Sequence, residues 1–392
     1  MAARRSLSKK PATRNASPAA QLRHGHPKHE AVVLVLQGGG ALGAYQAGVY
    51  EGFADAGIFP DWVTGVSIGA INAALIAGNT VENRLPRLRE FWDRVSSGMP
   101  LVPHAAFDPW RLAFNRLSSS ATATFGVPGF FTPRFPGPMF AADGTPDALS
   151  FYDTSPLAAT LGELVDFDVL NGRSIRFAVG AVNVRTGNSV YFDNHDPDLT
   201  LGPQHVMASG ALPPGFPPVR IDGEDYWDGG LVSNTPLWYV LDDSPHLNAL
   251  IAQVDLFSAR GEIPENLDEV LERAKDIQYS SKTRFNTNRM KELESVRDAL
   301  HHFLEKVPKH LREDRNVKLL MSAARPRRLS VVHLINRRLE HSTQSKDYEF
   351  SRATVNALWD SGREAVKSTL AHPDWRKACR AEAGMHAYDL SF

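Results

Sequence analysis

The chain of 392 residues has a single cysteine, Cys379, so no disulfide can close within it, which suits a reducing compartment. It has almost no net charge, −1 from 43 Lys or Arg against 44 Asp or Glu, so bulk electrostatics give no footing for nucleic acid. Metal-ligand spacing and internal repeats are absent, and no metal or other cofactor is expected. No apolar core follows the N-terminal charges, which argues against a secretory signal. Unbroken apolar runs are also lacking. The uncharged windows Ala31–Tyr50 and Trp62–Val81 are interrupted by Gln37, Gly38, Gly39 and Gly40, and by Thr64, Gly65, Ser67, Gly69 and Asn72. Both read as buried strand–turn–helix units instead of membrane spans. The expected location is cytoplasmic, with peripheral membrane attachment left open.

What is present is the composition of a folded protein, 43% hydrophobic and 22% charged. Residues 1–30 hold seven Lys or Arg and one acid, leaving a net −7 on the remainder. Without apolar periodicity, this segment reads as a disordered basic tail, solvated and without a role of its own, with attraction to anionic membrane surfaces or targeting as the alternative. Order is expected from Ala31. The run Ala31–Leu36 is apolar at every position, as in a strand covered on both faces. Three glycines end it, and Leu42, Tyr45, Val49 and Phe53 then recur at helical spacing until Gly57. A short strand at Trp62–Val66, a sharp turn at Gly65–Gly69 and a small-residue helix follow. This alternation predicts a parallel α/β layer fold.

Residues 31–260 are read as one catalytic-type unit. Within it, residues 99–152 break the alternation with eight prolines and ten aromatics and read as a long, lid-like insertion. Phe130, Phe131, Phe135, Met139 and Phe140 there are candidates for an acyl groove or a bilayer contact; a satellite core beneath a loop is the competing reading. Strands are expected at Ile175–Asn183, Val190–Phe192 and Leu247–Val254, the last one placed in the main sheet. Residues 261–392 read as mostly helical. Their stripes (Leu267, Val270, Leu271, Ala274 and Ile277; Leu293, Val296, Leu300, Phe303 and Leu304) are expected to pack on the catalytic layer or to build a homo-oligomer. Val317–Met321 and Leu329–Ile335 look strand-like, and Phe350–Leu370 helical.

Gly65-Val66-Ser67-Ile68-Gly69 has the Gly-x-Ser-x-Gly form that lifts a serine hydroxyl clear of a tight strand-to-helix turn. A serine that merely caps a helix is the alternative. Gly38-Gly39-Gly40-Ala41-Leu42-Gly43 fits two chemistries. As Gly-x-Gly-x-x-Gly it would cradle a dinucleotide in an NAD(P)-dependent oxidoreductase. That function also needs an acid after the next strand, and Asp61 precedes it. As an oxyanion hole, its backbone N–H groups would face the oxygen that becomes negative when serine attacks a carbonyl, which gives Ser67 a purpose. His104, His195, His205 and His246 have no motif context as bases. Asp228, in Tyr226-Trp227-Asp228-Gly229-Gly230, is a carboxylate alternative, although Asp-Gly-Gly is commonly just a turn. A non-catalytic scaffold built on the C-terminal helices is the third class.

Taken together, Gly38–Gly43, Gly65–Gly69, Ala208-Ser209-Gly210-Ala211-Leu212-Pro213 and Asp228-Gly229-Gly230 follow the order and rough spacing of the patatin-like phospholipase family, which the chain resembles from about Ala31 to Val254. Pro217-Pro218 and Asn234-Thr235-Pro236 fall in similar places. Residues 261–392 are similar to the C-terminal extension of a bacterial subgroup. The resemblance implies a three-layer α/β/α hydrolase domain with a mostly parallel sheet. It also implies a Ser67–Asp228 dyad with Ser67 as nucleophile, an oxyanion hole at Gly38, Gly39 and Gly40, and an acyl-serine intermediate in the hydrolysis of lipid or other acyl esters. One departure stands out: many members have Arg or Lys in the glycine loop near Leu42, so here that hole is left to backbone dipoles.

Overall fold

The computed structural model describes residues 28–97, 108–243, 248–280, 283–325, 327–337, 345–380 and 382–390. The expected basic tail therefore lies almost wholly outside the described residues, as do His104 and His246.

The strands are β1 (Ala31–Leu36), β2 (Trp62–Gly65), β3 (Thr132–Pro133), β4 (Tyr152–Asp153), β5 (Arg176–Asn183), β6 (Ser189–Asp193), β7 (Val219–Ile221), β8 (Glu224–Asp228), β9 (Asn248–Asp255), β10 (Arg328–Ile335) and β11 (Gly384–Asp389). Nine of them form one sheet in the order β11-β10-β9-β1-β2-β5-β8-β7, with β6 also paired to β5; β3 and β4 make a separate two-stranded ribbon. From β11 through β5 every pairing is parallel, while β6, β7 and β8 are added antiparallel. The central strands read as continuous apolar runs because both faces are covered. On one face Leu34, Leu36 and Val63 join a large core with helices Ala44–Asp55, Ile68–Ala77, Val81–Val95 and Arg352–Ala371. On the other, Val33, Val35, Ile251 and Val331 pack with Leu237, Val240 and Leu241 of helix Leu237–Asp243 and with Met290 of helix Thr283–Glu305. This is the three-layer arrangement expected, with a mostly parallel sheet.

Four expectations need correction. The sheet does not end at β9: β10 and β11, both from beyond residue 260, extend it by two parallel strands. Val317–Met321 is not a strand but part of helix Arg315–Ala323, because Asp314 caps it by accepting from the N–H groups of Asn316 (2.8 Å) and Val317 (3.3 Å). The insertion is not all loop, since Asp108–Phe125 is helical; Ser118 and Thr122 are buried in it, and Ser118 Oγ donates to Glu349 at 2.5 Å, so tertiary contact overrides weak helix propensity. Last, the stripe Leu267, Val270, Leu271 and Ile277 of helix Leu267–Tyr279 faces solvent. That helix turns its charged side inward because opposite charges await it there: Lys346 Nζ lies 3.2 Å from its Glu272 and 2.6 Å from its Asp276, and Asp347 lies 2.7 Å from its Lys275. Val296 and Phe303 of the second stripe are likewise exposed, whereas Leu304 is buried.

The C-terminal residues are bound into the same body. Helix Arg352–Ala371 lies against helix Ala44–Asp55 so closely that a Cβ on Gly48 would overlap the Trp359 carbonyl, and one on Gly362 the Tyr45 carbonyl. Among the described residues, no helix is long and apolar enough to cross a membrane.

Candidate active site

β1 and β2 are parallel neighbours with Leu36 beside Gly65, so the chain leaves both at the same end of the sheet. After β1 comes the glycine loop, which turns into the 3-10 helix Gly40–Gly43 before helix Ala44–Asp55. Gly40 has φ +55 and faces the Asp347 carbonyl, so a side chain there has neither the backbone conformation nor the room. Gly38 N–H already donates to Asn234 O at 3.1 Å, and Leu42 N–H to Gly39 O at 3.2 Å. Among the described residues, nothing accepts from the N–H of Gly39 or Gly40. The three-glycine expectation is thereby narrowed to two available donors, because Gly38 is committed to holding the loop against Asn234.

After β2, Ser67 adopts φ 56 and ψ −125, a strained turn that few non-glycine residues occupy. Gly69 is forced by crowding: a Cβ on it would lie 2.8 Å from Leu36 C and 2.9 Å from Gln37 O. Ser67 N–H donates to both the carbonyl and the hydroxyl of Ser209 (3.1 Å each), and Ser209 Oγ donates to Gly180 O at 2.6 Å. The Ser67 hydroxyl does not cap helix Ile68–Ala77, so helix capping does not account for it.

Asp228 arrives from the opposite direction along β8. One edge of β5 carries β6 from Ala178 to Val182. The other edge pairs with β2 as far as Val179 and then with β8 from Ala181. Gly65 is opposite Val179 and Asp228 opposite Ala181, so the ends of the two strands converge on one edge. Asp228 is 2% exposed, and its Oδ1 accepts from Gly230 N–H at 2.7 Å. Burial raises its pKa to about 6, against the opposing pull of the Gly230 N–H and the facing Ser67 hydroxyl. The carboxylate is thus ionised at neutral pH yet more basic than an exposed one, the state a general base needs.

Ser67, Asp228 and the glycine loop line one pocket of about 820 Å³, part of it open to solvent. Its apolar wall includes Ile68, Ile71, Phe130, Phe131, Phe216 and Phe350. Phe130 and Phe131 of the insertion are therefore at the pocket, with Phe130 6.0 Å from the Phe350 ring. Met139 is not: it is 84% exposed on the 3-10 turn Pro138–Phe140, outside the lining, and Phe135 (99%) and Phe140 are similarly exposed. A run of apolar residues in an insertion does not tell which of them turn to a pocket and which to solvent, and these three turn to solvent.

Of the four candidate histidines, the two that are described, His205 and His195, do not line the pocket with the serine. His205 is buried, pairs with Gly202 N–H at 2.9 Å and has its pKa lowered by burial. His195 lies in the turn after β6. Asp61 accepts from Val32 N–H at 2.8 Å at the far end of β1, away from the glycine loop, so it cannot hold a ribose there. Among the described residues, no group of three or more His, Cys, Asp or Glu is arranged to hold a metal.

The sequence reading missed the residues that hold the loop in place. Gln37 is fully buried and donates to Thr235 Oγ1 (2.9 Å) and Tyr279 O (3.1 Å), while its Oε1 accepts from Leu256 and Phe257 N–H (2.6 and 2.9 Å). Asn234 Nδ2 donates to Gly38 O (3.1 Å) and Tyr279 O (2.9 Å). Nothing local marks Gln37, and the partners of Asn234 and Thr235 are remote in the chain.

A sheet of parallel strands with a strained serine turn beside a glycine loop and a buried carboxylate defines a hydrolase-type α/β layer protein. The model of patatin-like phospholipases matches residues 34–241, and a second, described as patatin phospholipase, matches residues 277–382. The chain belongs to the patatin-like phospholipase family. Among curated proteins it is 26% identical over 236 residues to lysophospholipase nte1 of Aspergillus terreus, covering 60% of this chain but only 12% of that protein's length. Among solved structures, VipD from Legionella pneumophila aligns over 86% of this chain and 68% of its own at 16% identity, with a TM-score of 0.32.

Proposed function

We propose that the protein is a serine hydrolase of lipid carboxylic esters working through Ser67 and Asp228. The observation that carries this reading is the convergence in one largely apolar pocket of a strained serine, a buried carboxylate with raised basicity and two loop N–H groups that have no acceptor among the described residues. Asp228 takes the Ser67 Oγ proton as Oγ bonds to the ester carbon. The carbonyl π electrons move onto oxygen, which accepts from Gly39 and Gly40 N–H. When the tetrahedral species collapses, the C–O bond to the alcohol breaks and the departing alkoxide takes the proton from Asp228. Water then attacks the acyl-serine, giving its proton to Asp228, and the carboxylic acid leaves as Ser67 recovers its proton. Phe130 and Phe131 flank the acyl chain. The exposed Phe135, Met139 and Phe140, a few residues along the same insertion, meet the lipid surface from which the ester is drawn.

The test is active-site labelling with a fluorophosphonate probe. Wild type should label and Ser67→Ala should not; undiminished labelling of the variant would remove Ser67 from the nucleophile role.

A further inference from the structure

Three tyrosines in the same pocket have no part in that chemistry. Tyr152 comes from β4, Tyr279 from the end of helix Leu267–Tyr279 and Tyr348 from the turn Lys346–Tyr348. Tyr152 is already spent in part, its hydroxyl donating to Ala123 O at 2.9 Å. The Tyr279 and Tyr348 hydroxyls form no hydrogen bond with any described residue. Burial raises the pKa of both, with the negative charges of Asp228 and Asp347 adding to it, so both remain neutral O–H donors close to the dyad.

The segment that presents Tyr348 is held firmly. Lys346 is clamped between Glu272 and Asp276, Asp347 is paired with Lys275, and Glu349 accepts from Ser118 and Ser351 hydroxyls (2.5 and 3.1 Å). The same turn seats the Asp347 carbonyl on Gly40, which ties the position of Tyr348 to that of the oxyanion loop.

The pocket therefore has two chemistries. Ile71, Phe130 and Phe350 are buried and offer only apolar surface, suited to an acyl chain. The phenols add polar groups beside that apolar surface. We infer that Tyr348, with Tyr279, recognises the alcohol half of the ester by hydrogen-bonding a free hydroxyl on it, which makes Tyr348 a specificity-determining residue for polyol esters such as monoacylglycerols. This rests on the ester-hydrolase reading above.

The experiment compares kcat/KM of the full chain for monooctanoylglycerol and methyl octanoate, which share an acyl group and differ in the alcohol. Losing one neutral hydrogen bond, Tyr348→Phe should lower the value for monooctanoylglycerol about 3- to 10-fold and that for methyl octanoate less than about twofold. Tyr279→Phe should act in the same direction and carries the comparison should the first variant fold poorly. Equal losses on both esters, or none on either, overturn the inference while leaving the hydrolase standing. Wild type inert to both esters, with Ser67 unlabelled, overturns the reading beneath it.

Discussion

Ser67 and Asp228 face each other because one edge of β5 accepts first the strand that leads into Ser67 and then the strand that ends in Asp228. Neither residue's own segment holds the other; β5 is the ruler. Its opposite edge is occupied by β6 over the same stretch, which leaves β8 only the edge that β2 vacates.

Activity should depend on pH through Asp228. Asp228 must be ionised to accept the serine proton, and its pKa stands at about 6. Below that value kcat/KM should fall tenfold per unit of pH, with a single-proton slope, and level off above about 7. Steady-state rates across pH 4.5–8 check this; a flat profile would mean that another group takes the proton.

Replacing Asp228 should separate activity from stability. Its pKa is raised from 3.8 to about 6, so the folded state binds the proton more tightly than the unfolded state does. The charged carboxylate therefore costs stability in full above pH 6, and the cost fades as pH falls from 6 toward 4. At pH 7.5 it amounts to up to about 3 kcal/mol. Asp228→Asn, which keeps an acceptor for Gly230 N–H, should lower turnover about 10²- to 10⁴-fold and raise the melting temperature. Melting at pH 7.5 and at pH 4.5 reads both parts, since the gain over wild type should shrink at the lower pH.

Two neighbouring glycines should respond differently. Gly39 has φ 166, outside the left-handed region, and a Cβ on it would meet the flexible end of Leu256 at 2.8 Å and the Phe257 ring at 3.1 Å. Gly39→Ala keeps its N–H and should retain activity within about tenfold of wild type. Gly40→Ala meets a positive φ and the Asp347 carbonyl at once. Displacing that donor should cost about 10²–10³ in kcat, with a loss of about 1–3 kcal/mol in stability. Chemical denaturation beside kinetics distinguishes the two; equal behaviour of both alanine variants would contradict the assignment.

Lys346→Met should unseat the turn above the loop. Its ammonium is nearly buried between Glu272 and Asp276, and removing it leaves two acids facing each other beneath the surface. The expected loss is about 3–5 kcal/mol at neutral pH. Lowering the pH should recover part of it as Asp276, whose pKa burial already raises, is protonated, which denaturant titration at pH 5 and 7.5 would reveal.

How much of this was legible beforehand depended on whether the cause was local. The strained turn at Ser67 needs glycines at 65 and 69, the loop needs residues without Cβ at 38 and 40, and these are local requirements that appear as spellings. Phe130 and Phe131 were readable as apolar candidates, but the same reasoning put Met139 beside them, because composition cannot tell a wall from a tip. The stripe on helix Leu267–Tyr279 misled for a related reason: amphipathic spacing identifies two faces, and only the partners decide which one turns inward.

The sequence by itself determined the chemistry on offer, namely a serine on a tight turn, a glycine loop at the end of a parallel strand and a carboxylate at the head of a glycine pair, since each depends on backbone geometry set within a few residues. Only the tertiary structure decided that these meet, that the Gly38 N–H is committed while those of Gly39 and Gly40 are not, and that Tyr279 and Tyr348 from the C-terminal third line their pocket. Those outcomes come from strand pairing, buried ion pairs and close helix contact between segments far apart in the chain, interactions whose energy exists only once both partners have been brought together.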